Sequence, residues 1–231
     1  MKRFYKDVAV TETTGGFAIM LDGRAIRTQG GKAQVLPSAA LAERMAQEWR
    51  EQGETIDPGA FAFRDMADYA LDMLADNSEA AADKLLRFAE TDTLCYRADP
   101  DEPLWHRQRD LWEPLVSALE AREDIKLERI SGIMHRPLAA RTLDRLRARV
   151  RSFDPFTLAA LEQLASLAAS LTIGLAALEN NAEGEALWDA ANLEEDWQVE
   201  QWGADDEAAA RRARRKADFL NAIEFARLAS R

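Results

Sequence analysis

Closely spaced turn signals divide the first 36 residues into short segments, and this pattern constrains the fold more than any other feature. Asp22-Gly23 is a dipeptide that favours a two-residue hairpin turn, and the pairs Gly15-Gly16 and Gly30-Gly31 mark two further turns. The segments between them predict a meander of antiparallel strands over 7–12, 17–21, 25–28 and 33–36. A sheet this small cannot enclose a hydrophobic core by itself, so helices are expected to cover it.

Helical signals dominate the rest of the chain. Ser38 is a suitable N-cap for a helix that runs to about residue 52. Pro103 suits the first turn of a helix that reaches about residue 122, and Asp154 is expected to cap a long apolar helix over 155–178. Further helices are predicted over about 64–76, 78–90, 139–151, 185–202 and 204–229, and extended segments over 93–97 and 126–130.

These signals predict an α+β fold. Residues 1–60 are expected to form a small N-terminal antiparallel β domain with one covering helix. Residues 61–231 are expected to form a larger all-helical domain that carries an acidic C-terminal motif. With 231 residues, 47% of them hydrophobic, the chain is long enough to bury a core of ordinary size.

Negative charge is concentrated in residues 179–207. This stretch holds eleven carboxylates and no Lys, Arg or His, whereas the whole chain has 41 acids, 30 bases and a net charge of −11. Outside the stretch, acids and bases are therefore balanced. Three of the six tryptophans, Trp188, Trp197 and Trp202, lie in the same stretch. Concentrated charge with large aromatic side chains is typical of a surface that holds another macromolecule.

Composition argues against several classes of function. The net charge of −11 disfavours nucleic acid and anionic membranes, because phosphate neutralisation needs an excess of Lys and Arg. The single cysteine, Cys95, excludes an internal disulfide and fits a reducing compartment. The longest uncharged run, 163–178, is too short to span a bilayer, and the N-terminus lacks the pattern of a signal or transit peptide. We expect a soluble cytoplasmic protein.

The sequence predicts no catalytic residue, no metal site and no cofactor. Its only histidines, His106 and His135, are far apart, no serine-nucleophile or phosphate-loop motif occurs, and one cysteine cannot complete a zinc cluster. Two alternatives stay open. A small hydrolase would need a carboxylate of perturbed pKa, or His106, facing a cleft. An acidic interaction module that occupies a basic protein would bind in a strongly salt-dependent way.

Glu194 is the most informative carboxylate of the acidic stretch. Helical periodicity places it on a semi-apolar stripe with Leu187, Ala191 and Trp202. A carboxylate in such a stripe is costly if it is buried without a partner. Either arginines of the predicted helix 139–151 neutralise it, or it is exposed for a binding partner.

A basic run, residues 211–216, has the composition of a nucleic-acid patch. The same predicted helix begins with three acids, and Glu207 precedes Arg211 by four residues. Acids in a first turn suit the helix dipole, and acid–base pairs at this spacing stabilise helices. We therefore interpret the run as part of a solvated helix with internal ion pairs.

Several segments, in a specific order and spacing, carry a resemblance that spans the chain. They are Arg3-Phe4-Tyr5-Lys6, Gly15-Gly16-Phe17, Leu21-Asp22-Gly23-Arg24, Glu48-Trp49, residues 91–97, 107–114 and 193–198, and Trp202-Gly203. In these segments the chain resembles the assembly chaperones of the ATP synthase F(1) alpha subunit, also called ATP synthase mitochondrial F(1) complex assembly factor two. It departs from the family pattern at Thr28-Gln29 and at residues 61–64. Because it lacks the pattern of an organellar presequence, it resembles a bacterial member of the family.

The resemblance implies an ATP-independent chaperone without catalysis or cofactor. It implies binding of the unassembled alpha subunit through the surface that later meets beta, and release by exchange for beta. The acidic motif of the family maps to Glu194 and Glu195, and the tryptophan of its Glu-Trp motif maps to Trp49. We expect Glu194 and Glu195, framed by Trp197 and Trp202, to form part of the client-binding face, and Trp49 to be a packing residue. The expected state is a monomer that neither binds nucleic acid nor inserts into a membrane.

Overall fold

The computed structural model describes residues 1–132, 134–203 and 205–230, and it confirms the predicted α+β class. In these residues a three-stranded antiparallel sheet precedes a series of helices. The strands are β1 (Val8–Thr13), β2 (Gly16–Leu21), β3 (Arg24–Ala25), β4 (Tyr96–Arg97) and β5 (Ile130–Ser131). The helices are α1 (Ala39–Arg50), α2 (Ala62–Tyr69), α3 (Ser78–Glu90), α4 (Pro103–Glu123), α5 (Ala140–Arg151), α6 (Pro155–Ala168), α7 (Leu171–Ala177), α8 (Gly184–Ala191), α9 (Leu193–Trp202) and α10 (Asp206–Ala229).

The sheet follows the turn signals of the sequence. Asp22 and Gly23 have φ angles of 48° and 77°, the left-handed pair that a two-residue hairpin turn requires. The predicted fourth strand, 33–36, is wrong. Leu36 exchanges backbone hydrogen bonds with Phe17 at 2.8 and 2.9 Å, so the segment returns to β2, and only isolated bridges form.

The described chain divides into two compact units. The first contains Met1–Ser78, Asp154–Ala160 and Glu224 to the end of the described chain. The second contains Glu79–Phe153 and Leu161–Ile223. The boundary predicted at residue 60 falls inside the first unit, because α2 packs against α1. The division into domains 1–60 and 61–231 stays a prediction.

Trp49 lies in the core of the first unit. Only 8% of its surface is exposed, and its ring packs between Tyr5 and Phe61 at centroid distances of 5.5 and 4.5 Å. The Tyr5 hydroxyl donates to the Trp49 carbonyl at 2.6 Å. The preceding residue, Glu48, accepts hydrogen bonds from the Phe63 and Arg64 backbone N–H groups at the start of α2. The end of α1 therefore fixes both the N-terminal segment and α2.

The long apolar helix predicted over 155–178 is wrong, because the chain breaks between α6 and α7. Ala169 is left-handed, with φ 48°, and Ser170 caps α7 by accepting from the Ile173 N–H. The buried Asp92 accepts from the Ser170 hydroxyl at 2.6 Å and from the Thr172 N–H and hydroxyl at 2.9 and 2.8 Å. Burial raises the pKa of Asp92 despite these hydrogen bonds.

Other segments depart from prediction in small ways. Residues 64–76 were expected to be one helix, but α2 ends at Tyr69 and a π turn, Ala70–Leu74, follows. In 93–97, Thr93–Cys95 is a 3-10 turn and only β4 is extended. Instead of a lone strand at 126–130, the two-residue β5 pairs with β4 in parallel. Ala204, the predicted start of the last helix, lies outside the described residues.

No helix in the described ranges has both the length and the apolar character needed to cross a membrane.

Replacing Asp92 by Ala should lower the free energy of unfolding by about 3 kcal/mol, because buried donors lose their charged acceptor. Urea denaturation followed by circular dichroism measures the change. Asp154→Ala is the matched control: Asp154 is exposed and accepts from the Phe156 and Thr157 N–H groups at the start of α6. Loss of this cap should cost about 1 kcal/mol. Equal losses would contradict the role given to Asp92.

Candidate functional site

The acidic stretch forms two helices, α8 and α9, and the single helix predicted over 185–202 is wrong. Asn192 stands between them with φ −109° and ψ 16°, and its Nδ2 donates to the Trp188 carbonyl at 2.8 Å. Asparagine favours such breaks because its side chain competes for nearby backbone groups. The break shifts the phase of the helical wheel. Leu187 is therefore buried, whereas Trp202 is 79% exposed, and the predicted common stripe does not exist.

Five of the eleven carboxylates in 179–207 form ion pairs within the described chain. The pairs are Glu179–Arg122, Glu185–Lys216, Asp196–Arg212, Glu200–Arg107 and Glu207–Arg211. Three of the cations belong to the basic run of α10, which confirms the interpretation of that run as a source of internal ion pairs. The acidic surface is thus partly neutralised.

The basic helix does not neutralise Glu194, so this explanation of the carboxylate is wrong. Arg141 and Arg145 of α5 both donate to Asp124, at 2.6 and 2.9 Å. Arg149 lies 3.5 Å from Glu123. All three arginines are therefore directed at the end of α4 and the turn that follows it.

Glu194 instead has a neutral partner. Its Oε1 accepts from Gln108 Nε2 at 2.7 Å. Gln108 is fully buried, and its Oε1 accepts from the Ala98 N–H at 2.8 Å, which leaves the amide nitrogen to donate to Glu194. Partial burial of the carboxylate raises the pKa of Glu194, and the Gln108 hydrogen bond opposes that rise. A neutral donor holds the carboxylate in place without cancelling its charge.

Glu194, Trp197 and Trp202 line one surface hollow of about 440 Å³. The other lining residues are Tyr96 and Arg97 of β4, Ala98 after it, Leu104 of α4, Gly132 after β5, and Gln198 of α9. One face of Trp197 is covered by the Arg107 guanidinium at 4.6 Å, and Arg107 also bonds Glu200 at 2.8 Å. The exposed indole of Trp202 is therefore the main free aromatic surface of this hollow.

Glu195 does not line this hollow. It is half-buried, and it belongs to the charged groups around Arg212. Asp196, by hydrogen bond, and more weakly Glu195 and Asp189 raise the pKa of Arg212. Of the predicted client-binding residues, three therefore share a surface and Glu195 lies towards α10.

Sequence reasoning did not identify Gln108 and Arg107 as part of this site. Both lie on α4, more than 80 residues before α9 in the chain. Their only sequence signal was their presence in one of the segments that carry the family resemblance. Nothing in local periodicity connects a glutamine on α4 with a glutamate on α9.

The histidines do not form a reaction centre with each other. His106 is exposed and packs edge-on against Trp105. His135 is also exposed, and its Nδ1 lies 3.0 Å from the Tyr96 hydroxyl at the rim of a second, shallow hollow that Glu194 shares. Over the described residues, no group of three His, Cys, Asp or Glu side chains is placed to hold a metal ion. The open position of both histidines weakens the hydrolase alternative.

An ionic cluster lies beside the hollow. Glu113 bonds Arg129 at 2.6 Å and Arg97 at 2.9 Å, and Arg129 also bonds Glu120 at 2.7 Å. The hydrogen bond from Arg129, and then that from Arg97, lower the pKa of Glu113 to about 2. Arg97 is buried and lines the hollow, so the cluster fixes one of its walls.

Comparisons with known proteins agree with this architecture. The family model described as ATP12 chaperone protein matches residues 2–120. The crystal structure of Atp12 from Paracoccus denitrificans is similar over 99% of this chain and 98% of its own, with 35% identity and a TM-score of 0.92. The mitochondrial protein atp12 of Schizosaccharomyces pombe is 26% identical over 90% of this chain and 75% of its own length. The mitochondrial protein ATP12 of Saccharomyces cerevisiae is 24% identical over 87% of this chain and 76% of its own.

The depressed pKa of Glu113 predicts a loss of stability in acid. Ionised Glu113 stabilises the folded state above its unfolded pKa, near 4.5, and this contribution disappears as pH falls towards 2. Glu113→Gln should therefore lower the free energy of unfolding at pH 6 much more than at pH 2.5. Urea denaturation at both pH values measures this difference. An NMR titration midpoint near 4.5 for the Glu113 carboxyl would contradict the prediction.

Replacing Gln108 by Met should raise the pKa of Glu194 further, because the hydrogen bond that lowers it is lost. The free energy of unfolding should also fall by about 1–3 kcal/mol, since the Ala98 N–H loses its acceptor. An NMR titration of the Glu194 carboxyl and urea denaturation measure the two effects. Gln198→Met, at an exposed position of the same hollow, is the matched control and should leave both quantities nearly unchanged.

Proposed function

This chain belongs to the ATP12 chaperone family, whose members are ATP synthase assembly chaperones, and we propose that its client is the unassembled alpha subunit of the ATP synthase catalytic head. In this proposal it holds alpha until beta takes its place, without using ATP. The alpha subunit is the client that the sequence resemblance implies. The chain acts as a monomer in the bacterial cytoplasm, where the head of the enzyme is assembled.

The exposed indole of Trp202 is the observation that carries the proposal. An unassembled subunit exposes apolar surface that promotes aggregation, and a chaperone has to cover that surface with apolar groups of its own. Trp202 is 79% exposed, and Val199, three residues earlier on the same face of α9, is 37% exposed. Large exposed aromatic side chains of this kind dominate the free energy of protein–protein contacts.

Leu104 of α4 extends this apolar surface, because it lines the same hollow as Trp202. The two helices are in contact. Leu111 is a further exposed apolar residue of α4, but it lies beside Trp112, whose indole N–H donates to the Ala190 carbonyl before the start of α9. At the hollow, α4 and α9 therefore present an apolar patch with charged residues beside it, which is the usual composition of a protein-binding surface.

Glu194 gives this surface a fixed negative charge that can orient a bound client. Its partner, Gln108, is neutral, so the negative charge of the carboxylate is retained at the edge of the apolar patch. A charge fixed by a buried donor favours clients with a complementary group and disfavours others. We propose that Glu194 selects the orientation of the client while Trp202 provides most of the contact free energy.

The acidic interaction module is supported less well. A module that competes with a nucleic acid needs its carboxylates free to meet a basic partner. Five of the eleven in 179–207 are paired with arginine or lysine of the described chain. Glu194 lines the same hollow as the exposed Trp202, and a surface of this kind is better suited to an apolar client.

Suppression of alpha-subunit aggregation tests the proposal. Purified alpha is warmed with increasing chaperone and light scattering is recorded. Trp202→Ala should require about tenfold more chaperone for half-suppression, since loss of a central aromatic anchor costs at least 1 kcal/mol of binding free energy. Glu194→Lys should also weaken suppression, because the charge at the patch is reversed. Glu195→Lys should have a smaller effect, because Glu195 lies towards α10.

Matched controls come from the first unit. Met73→Ala removes an apolar side chain that is 57% exposed, and Glu12→Lys reverses an exposed charge on β1. Both should suppress aggregation as the unchanged protein does. Thermal melts establish that each variant is folded. Full activity of folded Trp202→Ala and Glu194→Lys would refute the proposed surface.

A further inference from the structure

The first unit carries a hollow of about 610 Å³ that shares no lining residue with the hollow at α4 and α9. It lies along the outer edge of β3, and its apolar walls include Phe4, Leu21, Ile26 and the buried Trp49. Phe4 is 62% exposed although its ring packs edge-on against Tyr5. The exposed phenylalanine and the apolar hollow together form a continuous apolar surface, which is typical of a site that a partner covers.

The backbone next to this hollow is free to pair. The Ile26 N–H donates to the Ile19 carbonyl at 3.0 Å, so residues 19 and 26 form a hydrogen-bonded pair. Ala25 lies opposite Met20 in the neighbouring, non-hydrogen-bonded pair. In an antiparallel ladder the N–H and C=O groups of such a residue point away from the partner strand. Ala25 therefore directs both groups outward, at the edge of the sheet.

The charge of this edge is positive. Residues 1–36 contain six basic and three acidic side chains, in contrast to the net charge of −11 for the whole chain. Arg24 and Arg27 are exposed and line the hollow. The lining carboxylate, Asp22, is already occupied, because its Oδ1 accepts from the Lys6 and Asp7 N–H groups at 3.0 and 2.8 Å. Asp22 keeps its negative charge but is directed at that backbone segment, so the two arginines leave the lining of the hollow with a net positive charge.

We propose that the β3 edge, with the hollow beside it, binds an extended acidic segment of a partner protein by adding it to the sheet as a further strand. The backbone of the segment pairs with Ala25, and an apolar side chain enters the hollow on the face of the sheet that Leu21, Arg24 and Ile26 share. The alternate carboxylates then lie on the opposite face, where they meet Arg27, and Arg24 adds positive charge beside the hollow. A second copy of this chain does not fit the edge as well. Pairing β3 with β3 would bring the arginines of both copies together, and like charges across paired strands are destabilising.

The probe is the capped peptide acetyl-Glu-Val-Glu-Phe-Glu-amide, titrated into the 15N-labelled full-length chain and followed by NMR. Binding should shift the amide signals of residues 23–27 and of Phe4. The same peptide with Lys in place of each Glu should bind at least tenfold more weakly. A peptide that is N-methylated on the edge facing β3 keeps its charge and apolar groups but cannot donate to the Ala25 carbonyl, and it should not bind.

Variants of the chain test the same contacts. Ala25→Pro removes an N–H group that points away from β2, a position where an edge strand accepts proline, and it should weaken peptide binding at least tenfold. Arg27→Glu should weaken it at least fivefold, because it places a carboxylate on the face that the glutamates of the peptide occupy. Arg214→Glu, the same charge reversal at an exposed position of α10, should change binding less than twofold. If thermal melts show that Ala25→Pro is unfolded, binding by Arg27→Glu and by the N-methylated peptide tests the proposal.

Each contrary outcome overturns a defined part of the proposal. Equal binding of the N-methylated peptide excludes strand addition, and equal binding of the lysine peptide excludes the role of the arginines. Absence of signal shifts at millimolar peptide overturns the whole proposal. Dimerisation of the unliganded chain through residues 23–27 makes a second copy the occupant and overturns it as well. The test contains no alpha subunit, so its result is independent of the function proposed for α4 and α9.

Discussion

Buried carboxylates that accept hydrogen bonds from distant segments are the interaction on which the structure depends. Asp92 receives the hydroxyl and N–H groups that begin α7, and Glu48 receives the two N–H groups that begin α2. Asp68 accepts from the Gln34 side chain and from the Gln29 N–H. Desolvation raises the pKa of all three, and several donors offset its cost. Such carboxylates determine where helices begin and which segments lie beside the sheet.

This dependence explains which parts of the fold could be predicted. The hairpin at Asp22-Gly23, the cap at Ser38 and the start of α4 at Pro103 follow from the backbone preferences of one or two residues. The break at Ala169 does not, because a left-handed alanine is unfavourable by itself. It is stabilised by Asp92, which lies 78 residues before Ser170 in the chain. No local pattern contains that information.

In the candidate site, too, features that depend on local sequence could be predicted, and features that depend on distant segments could not. Concentrated charge and aromatic residues identified α9, and three of the four predicted residues do line one hollow. One of the two explanations left open for Glu194 was neutralisation by the arginines spaced four residues apart on α5. It was wrong, because those arginines meet acids at the end of α4. Periodicity gives the face of a helix on which a charge lies. It does not identify the element packed against that face, which depends on the path of the whole chain. Glutamine also carries no charge, so a search for opposite charges could not find Gln108.

The need to release a client explains why a chaperone would use several individually weak contacts. A chaperone has to release its client, so no single contact can be very strong. An exposed tryptophan beside a carboxylate, and a short strand edge with two arginines, are each weak sites, because solvent screens their charges and little backbone is available to pair. When one client engages more than one weak site, the second contact forms at high effective concentration, and the combined affinity exceeds that of either. Loss of one contact to a competing subunit then weakens the rest. Under the function proposed above, release would therefore require only the displacement of contacts one at a time, and nucleotide hydrolysis would not be needed.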